Sequence, residues 1–147
     1  MTLNTDAPEG HTAKSVARYL PAVGRVLMGL IFLVTGLNGY LNFLPQPATP
    51  MPAGALAFLG ALMKSGYMLP LLAGTQSIVG ALLLSNRFVP LALALIAPVV
   101  VNIVAFHLFL SPSGLGVAVV VAALEVYLVW AYRRAYGPML GMRTVPA

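Results

Sequence analysis

The chain has 147 residues, of which 60% are hydrophobic and 7% charged, with no cysteine and a formal net charge of +5. Soluble domains carry about 25% charged residues, so this balance and a mean hydropathy of +0.93 point to lipid as the solvent. Disulfides, thiolate metal sites and CxxC redox chemistry of the chain's own are excluded, and nucleic acid is excluded as a partner because the basic residues only flank apolar stretches.

In chain order, residues 1–20, with Asp6, Glu9, His11, Lys14 and Arg18, read as a polar tail with room for a short basic helix at the membrane. A first span is expected over about 21–44. A cleaved leader competes for the same stretch, since Arg25 precedes an apolar run from Val26 to Leu37, but no A-x-A site follows. Pro45, Pro47, Pro50 and Pro52 then make a loop before an apolar piece from Ala53 to Met63. Eleven residues rise only about 16 Å as a helix, half a hydrocarbon core, so this piece is expected to lie on the interface.

A second span is expected over 67–84, closed by Ser85, Asn86 and Arg87, and a third over 88–110, with Pro90 in its first turn and a kink at Pro98. Ser111, Pro112, Ser113 and Gly114 form a tight turn into the last span, 115–136, which Gly137 and Pro138 end. The expected fold is all-α: four transmembrane helices in a bundle over 21–140, a short interfacial helix between the first two, and a short tail over 141–147. Positive charge collects on cytoplasmic loops. Lys14, Arg18, Arg25, Arg87, Arg133, Arg134 and Arg143 fall on one side and Lys64 alone on the other, so both termini are expected in the cytoplasm of a multi-pass protein.

Polar groups inside the spans are the candidate functional residues. Glu125 sits near the middle of the last span, where an acidic side chain costs roughly 2.5 to 3.5 kcal/mol and needs an interior partner. At about 1.5 Å per residue, Glu125 lies roughly 16 Å below one face and Arg25 roughly 6 Å above the other, leaving a gap of about 8 Å. An Arg25–Glu125 ion pair is therefore expected, serving either helix register or function.

Asn38, Gln76 and Asn102 fall roughly 9, 13 and 12 Å below the outer surface, which suggests a shared polar pocket there. Asn102 also shares a face with the Ala94 carbonyl that Pro98 leaves unpaired. The competing reading for each amide is plain interhelical hydrogen bonding. His107, a turn from the outer end of the third span, is a candidate proton carrier or ligand, or an interface residue with one satisfied nitrogen. No second His or Cys stands at ligand spacing, so a metal site is not expected. Gly29, Gly36, Gly39, Gly74 and Gly80 permit close helix approach, and the tyrosines and Trp130 fall near span ends as an aromatic belt.

From about Arg25 to Leu140 the chain resembles the DoxX family of small four-helix bacterial membrane proteins. The resemblance rests on Arg25 with Gly29-Leu30-Ile31-Phe32 and Gly36-Leu37-Asn38, and on Gln76 with Gly80-Ala81-Leu82-Leu83-Leu84. It continues in Arg87-Phe88-Val89-Pro90, in Asn102 with Phe106-His107-Leu108, and in Glu125 with Trp130-Ala131-Tyr132-Arg133. Related sequences often have an acidic residue where Gln76 stands and a lysine where Gly39 stands.

What the resemblance implies is a place in the bacterial inner membrane and a role in a redox-associated membrane complex. Members have been linked to quinone-coupled sulfur oxidation and to oxidoreductase complexes that handle thiol stress. A bound quinone or other apolar ligand in the outer pocket is the expectation, with any electron chemistry supplied by that cofactor or a partner. Distant relatives act as membrane chaperones or cargo receptors. The alternative expectation is thus a non-enzymatic assembly factor or scaffold, acting on a membrane protein partner or as a homo-oligomer. A small-solute transporter ranks third, because four spans leave little room for alternating access.

Overall fold

In the computed structural model the backbone is described over residues 9–45 and 50–140, and side chains over 19–45 and 50–137. The tail residues 1–8 and 141–147, Pro47 of the loop, and the side chains of Lys14, Arg18 and Arg143 lie outside the described residues. All regular structure among the described residues is helical: α1 Glu9–Leu41, α2 Ala53–Lys64, α3 Met68–Leu84, α4 Val89–Phe109 and α5 Leu115–Ala131. Tighter 3-10 turns occupy Pro112–Gly114 and Arg133–Leu140.

Three stretches are long and apolar enough to cross a membrane, Tyr19–Leu41, Val89–Phe109 and Pro112–Ala131, while α2 and α3 meet that standard only as a pair bent by 91°. The second expected span is therefore a shorter helix. Its 17 residues rise about 25 Å, less than a hydrocarbon core of about 30 Å. The bend has local causes. Gly66 takes a left-handed φ of 77°, which a glycine adopts at no steric cost, and Ser65 Oγ accepts the Met68 amide at 3.1 Å to start α3.

Other boundaries also differ from expectation. α1 starts at Glu9, running through Pro21 without a break, and stops at Leu41 rather than Leu44. Asn38 causes that stop: its Oδ1 accepts the Leu44 amide at 2.7 Å, while Asn42 turns left-handed at φ 49° and donates its N–H to the Asn38 carbonyl at 2.9 Å. The last α-helix ends at Ala131, where the chain tightens into the 3-10 turn. α4 continues as one helix through Pro98.

Neighbouring helices run antiparallel. Gly29 of α1 faces Leu84 of α3, Gly36 faces Ser77 and Ala73, Leu33 faces Gly80, and Tyr40 donates its hydroxyl to the Pro70 carbonyl at 2.6 Å. α1 packs on α3 and α5, and α4 packs on α3 and α5. Small residues let the α1 and α3 backbones approach, which is how helices gain dispersion contacts when lipid removes the hydrophobic drive for association. The core between them is Met28, Phe32, Val79, Leu83, Leu93, Ile96, Val121 and Leu128. Valines and leucines such as Val23, Leu27, Leu30 and Leu37 point outward, so along Tyr19–Leu41 α1 carries apolar residues away from the core as well as toward it, a pattern suited to lipid.

Asn86 ends α3. Its left-handed φ of 56° lets the Asn86 and Arg87 amides donate to the Leu83 and Leu82 carbonyls at 3.2 and 3.0 Å, a Schellman closure with asparagine in the place usually held by glycine. Phe88 then adopts φ 51°, an uncommon state for an aromatic residue, and α4 starts at once.

Candidate functional site

Two depressions hold most of the polar residues, one between α2, α3 and α4 and one between α4 and α5. At the α2 end, Gln76 of α3 and Asn102 and His107 of α4 share a cleft of about 230 Å³. Its walls are apolar: Phe58, Leu59 and Leu62 of α2, Leu69 and Leu72 of α3, and Val99, Ile103 and Phe106 of α4. The perpendicular course of α2 makes this cleft, since a helix continuing the line of α3 would leave no third wall. Phe58 and Phe106 meet across it with ring centroids 5.7 Å apart.

The polar groups differ in how far they are committed. His107 Nδ1 lies 3.0 Å from the Ser111 carbonyl oxygen. A carbonyl only accepts, so Nδ1 carries the proton in this contact. The Phe106 ring stands edge-on to the imidazole, centroids 5.2 Å apart. Gly114 leaves room for it: a Cβ there would force the imidazole to shift. Neither the Gln76 nor the Asn102 amide hydrogen-bonds to a protein group among the described residues, so each can offer a donor and an acceptor to an occupant.

Asn38 does not join them. It is spent on the end of α1, and the expected three-amide pocket becomes two amides and a histidine. The reason is local competition: near a helix end an asparagine side chain finds orphan backbone groups within reach.

Glu125 and Arg25 also part from expectation. No ion pair joins them. Arg25 Nη1 donates to the Leu83 carbonyl and, at 3.4 Å, to the Leu84 carbonyl, at the C-terminal end of α3, the negative pole of the helix dipole. Its Nε is buried without a partner among the described residues. Glu125, 6% exposed, has no partner for either carboxylate oxygen among the described residues. It lines a groove of about 620 Å³ between α4 and α5, with Ala97, Val100, Val101, Val104, Val129 and Trp130.

Position along each helix, on which the expected pairing was argued, does not fix direction around it. Rotation about the helix axis decides which neighbour a side chain meets, and Arg25 faces α3. Two groups near Glu125 were missed. Tyr136, beyond α5, donates to the Pro90 carbonyl at 2.9 Å and ties the 3-10 turn to the start of α4. Burial first, and the Glu125 charge second, push its phenol above the ordinary value of 10.0. Arg133 packs 4.5 Å from the Trp130 ring centroid and donates to the Trp130 carbonyl at 2.9 Å. The Trp130-Ala131-Tyr132-Arg133 run was the available signal.

The chain matches no protein-family model, no curated protein and no solved structure.

Proposed function

We propose that the chain is a DoxX-like integral protein of the bacterial inner membrane, with α1, the bent α2–α3 pair, α4 and α5 spanning as a four-helix bundle and both termini cytoplasmic. In this reading it serves a redox-associated membrane complex by holding a quinone, or another apolar ring with carbonyl oxygens, in the cleft under α2. The convergence of Gln76, Asn102 and His107 on one apolar cleft carries the proposal. Two amide N–H groups can donate to quinone carbonyls, and the aromatic walls of Phe58 and Phe106 suit a flat ring. The cleft is small for a whole ligand, since pockets for drug-sized molecules run about 300–1,000 Å³. A ring head inside with its isoprenoid tail in lipid fits that size. No redox centre is contributed by this chain's own side chains, so its part is to bind and orient.

Purification in mild detergent with mass spectrometry of bound lipids and quinones tests this. A quinone retained by the wild type and lost in a Gln76→Leu, Asn102→Leu double variant supports the reading; equal retention by both sinks it.

A second reading rests on α2. Leu56 and Met63 are exposed on it, with Lys64 at its end, a surface suited to a scaffold or assembly factor that grips another membrane protein. Co-purification of a protein partner, lost when α2 is made polar and indifferent to the cleft amides, would favour it.

A further inference from the structure

The groove between α4 and α5 has no part in the proposed quinone cleft: the two take different faces of the same stretch of α4 and share no lining residue. Its volume is about 620 Å³ and its walls are almost wholly valine and alanine: Ala97, Val100, Val101, Val104, Ala122, Val126 and Val129. A buried carboxyl is set into those walls: Glu125 is 6% exposed, and neither of its oxygens meets a donor among the described residues.

The two arginines that could have answered it are committed elsewhere. Arg25 is turned to the Leu83 and Leu84 carbonyls of α3. Arg133 stands at the rim of the same groove, but its guanidinium rests on the Trp130 ring and bonds the Trp130 carbonyl. The nearby Tyr136 hydroxyl is given to the Pro90 carbonyl. A buried carboxyl that lacks every one of its partners is costly, and an apolar groove open at its side offers a way for a ligand to supply them.

We propose that this groove binds an amphiphilic ammonium, a single alkyl chain with a primary amine head, whose N–H groups bond the Glu125 carboxylate while the chain lies along the valine wall. Charge complementarity selects the head. A carboxylate has acceptor sites only, so a primary ammonium with three donors meets it better than a hydroxyl or an ether. The wall selects the tail, because branched aliphatic side chains present no hydrogen-bonding group to an occupant. Trp130, lining the groove with Glu125, is the chain's single tryptophan and therefore a built-in reporter.

The test uses the full chain in lipid nanodiscs and a dodecylammonium brominated midway along its chain, with quenching of Trp130 fluorescence as the readout. Saturable quenching is expected, reversed by unbrominated dodecylammonium and shifted about tenfold or more to higher concentration in Glu125→Gln. The equally brominated dodecanol should quench only in proportion to its partition into the bilayer. Saturation by the alcohol at the ammonium's concentration would overturn the proposal, leaving an apolar groove indifferent to charge. So would an unshifted curve in a folded Glu125→Gln protein. If that variant fails to fold, the ammonium against alcohol comparison in the wild type decides alone. Loss of the quinone from the α2 cleft would not bear on either curve.

Discussion

A single methyl group at Gly36 should weaken the contact on which α1 and α3 depend. A Cβ built there meets the Ser77 amide nitrogen at 2.5 Å and the Ala73 carbonyl oxygen at 2.8 Å, where ordinary contact begins at 3.4 Å. Both obstacles include backbone atoms of α3, which cannot swing aside as a side-chain tip can, so the helices must part by about 1 Å and lose dispersion contacts along the seam. Overpacking at its upper range costs about 3 kcal/mol, alanine's helix preference over glycine returns about 1, and Gly36→Ala should lose about 2 kcal/mol.

The matched control is Gly60→Ala in α2, where an added Cβ meets nothing within 4 Å and the helix preference alone should leave stability unchanged or raise it by up to about 1 kcal/mol. Reversible unfolding in mixed micelles with rising dodecyl sulfate, followed by circular dichroism and Trp130 emission, measures both. Gly36→Ala unfolding at the wild-type midpoint, or Gly60→Ala losing as much as Gly36→Ala, would refute the close-approach argument.

In the same assay, Arg25→Ala should lose about 2 kcal/mol through its carbonyl bonds, and its coupling to Glu125→Gln in a double-mutant cycle should stay below about 0.5 kcal/mol. A coupling near 3 kcal/mol would reinstate the ion pair. Gln76→Leu or Asn102→Leu singly should reduce the quinone retained on purification by roughly tenfold without changing helix content, as loss of one hydrogen bond to the ligand implies; unaltered retention would remove that amide from the site. Phe88→Gly should raise stability by about 1 kcal/mol, since it relieves a left-handed backbone at a side chain exposed to its surroundings, and a lowered midpoint would show that the ring contributes more than the strain costs.

Composition and spacing alone made the chain's helical, strongly apolar character legible, because hydropathy is a sum over neighbouring residues and needs no knowledge of what lies across the fold. The helix breaks at Ser65–Gly66, Ser85–Asn86 and Ser111–Gly114 were equally readable, as their turn chemistry is local. The glycines were readable as a set: Gly29, Gly36, Gly39 and Gly80 would all clash with the partner helix if they carried a Cβ, and Gly74 would crowd the Tyr40 hydroxyl.

Partner choice was decided only by tertiary structure. Depth along each helix follows from residue number at about 1.5 Å per step, but rotation about the axis does not, and helices that are apolar all round carry little pattern to set it. Arg25 therefore looked like a partner for Glu125 until the small-residue seam of α1 against α3 turned it to the Leu83 carbonyl. Asn38 looked like a pocket residue until the end of α1 claimed its side chain. The right-angle turn between α2 and α3 then placed Phe58 over Gln76, Asn102 and His107, an arrangement that depends on one glycine's backbone angle and on packing three helices apart in sequence.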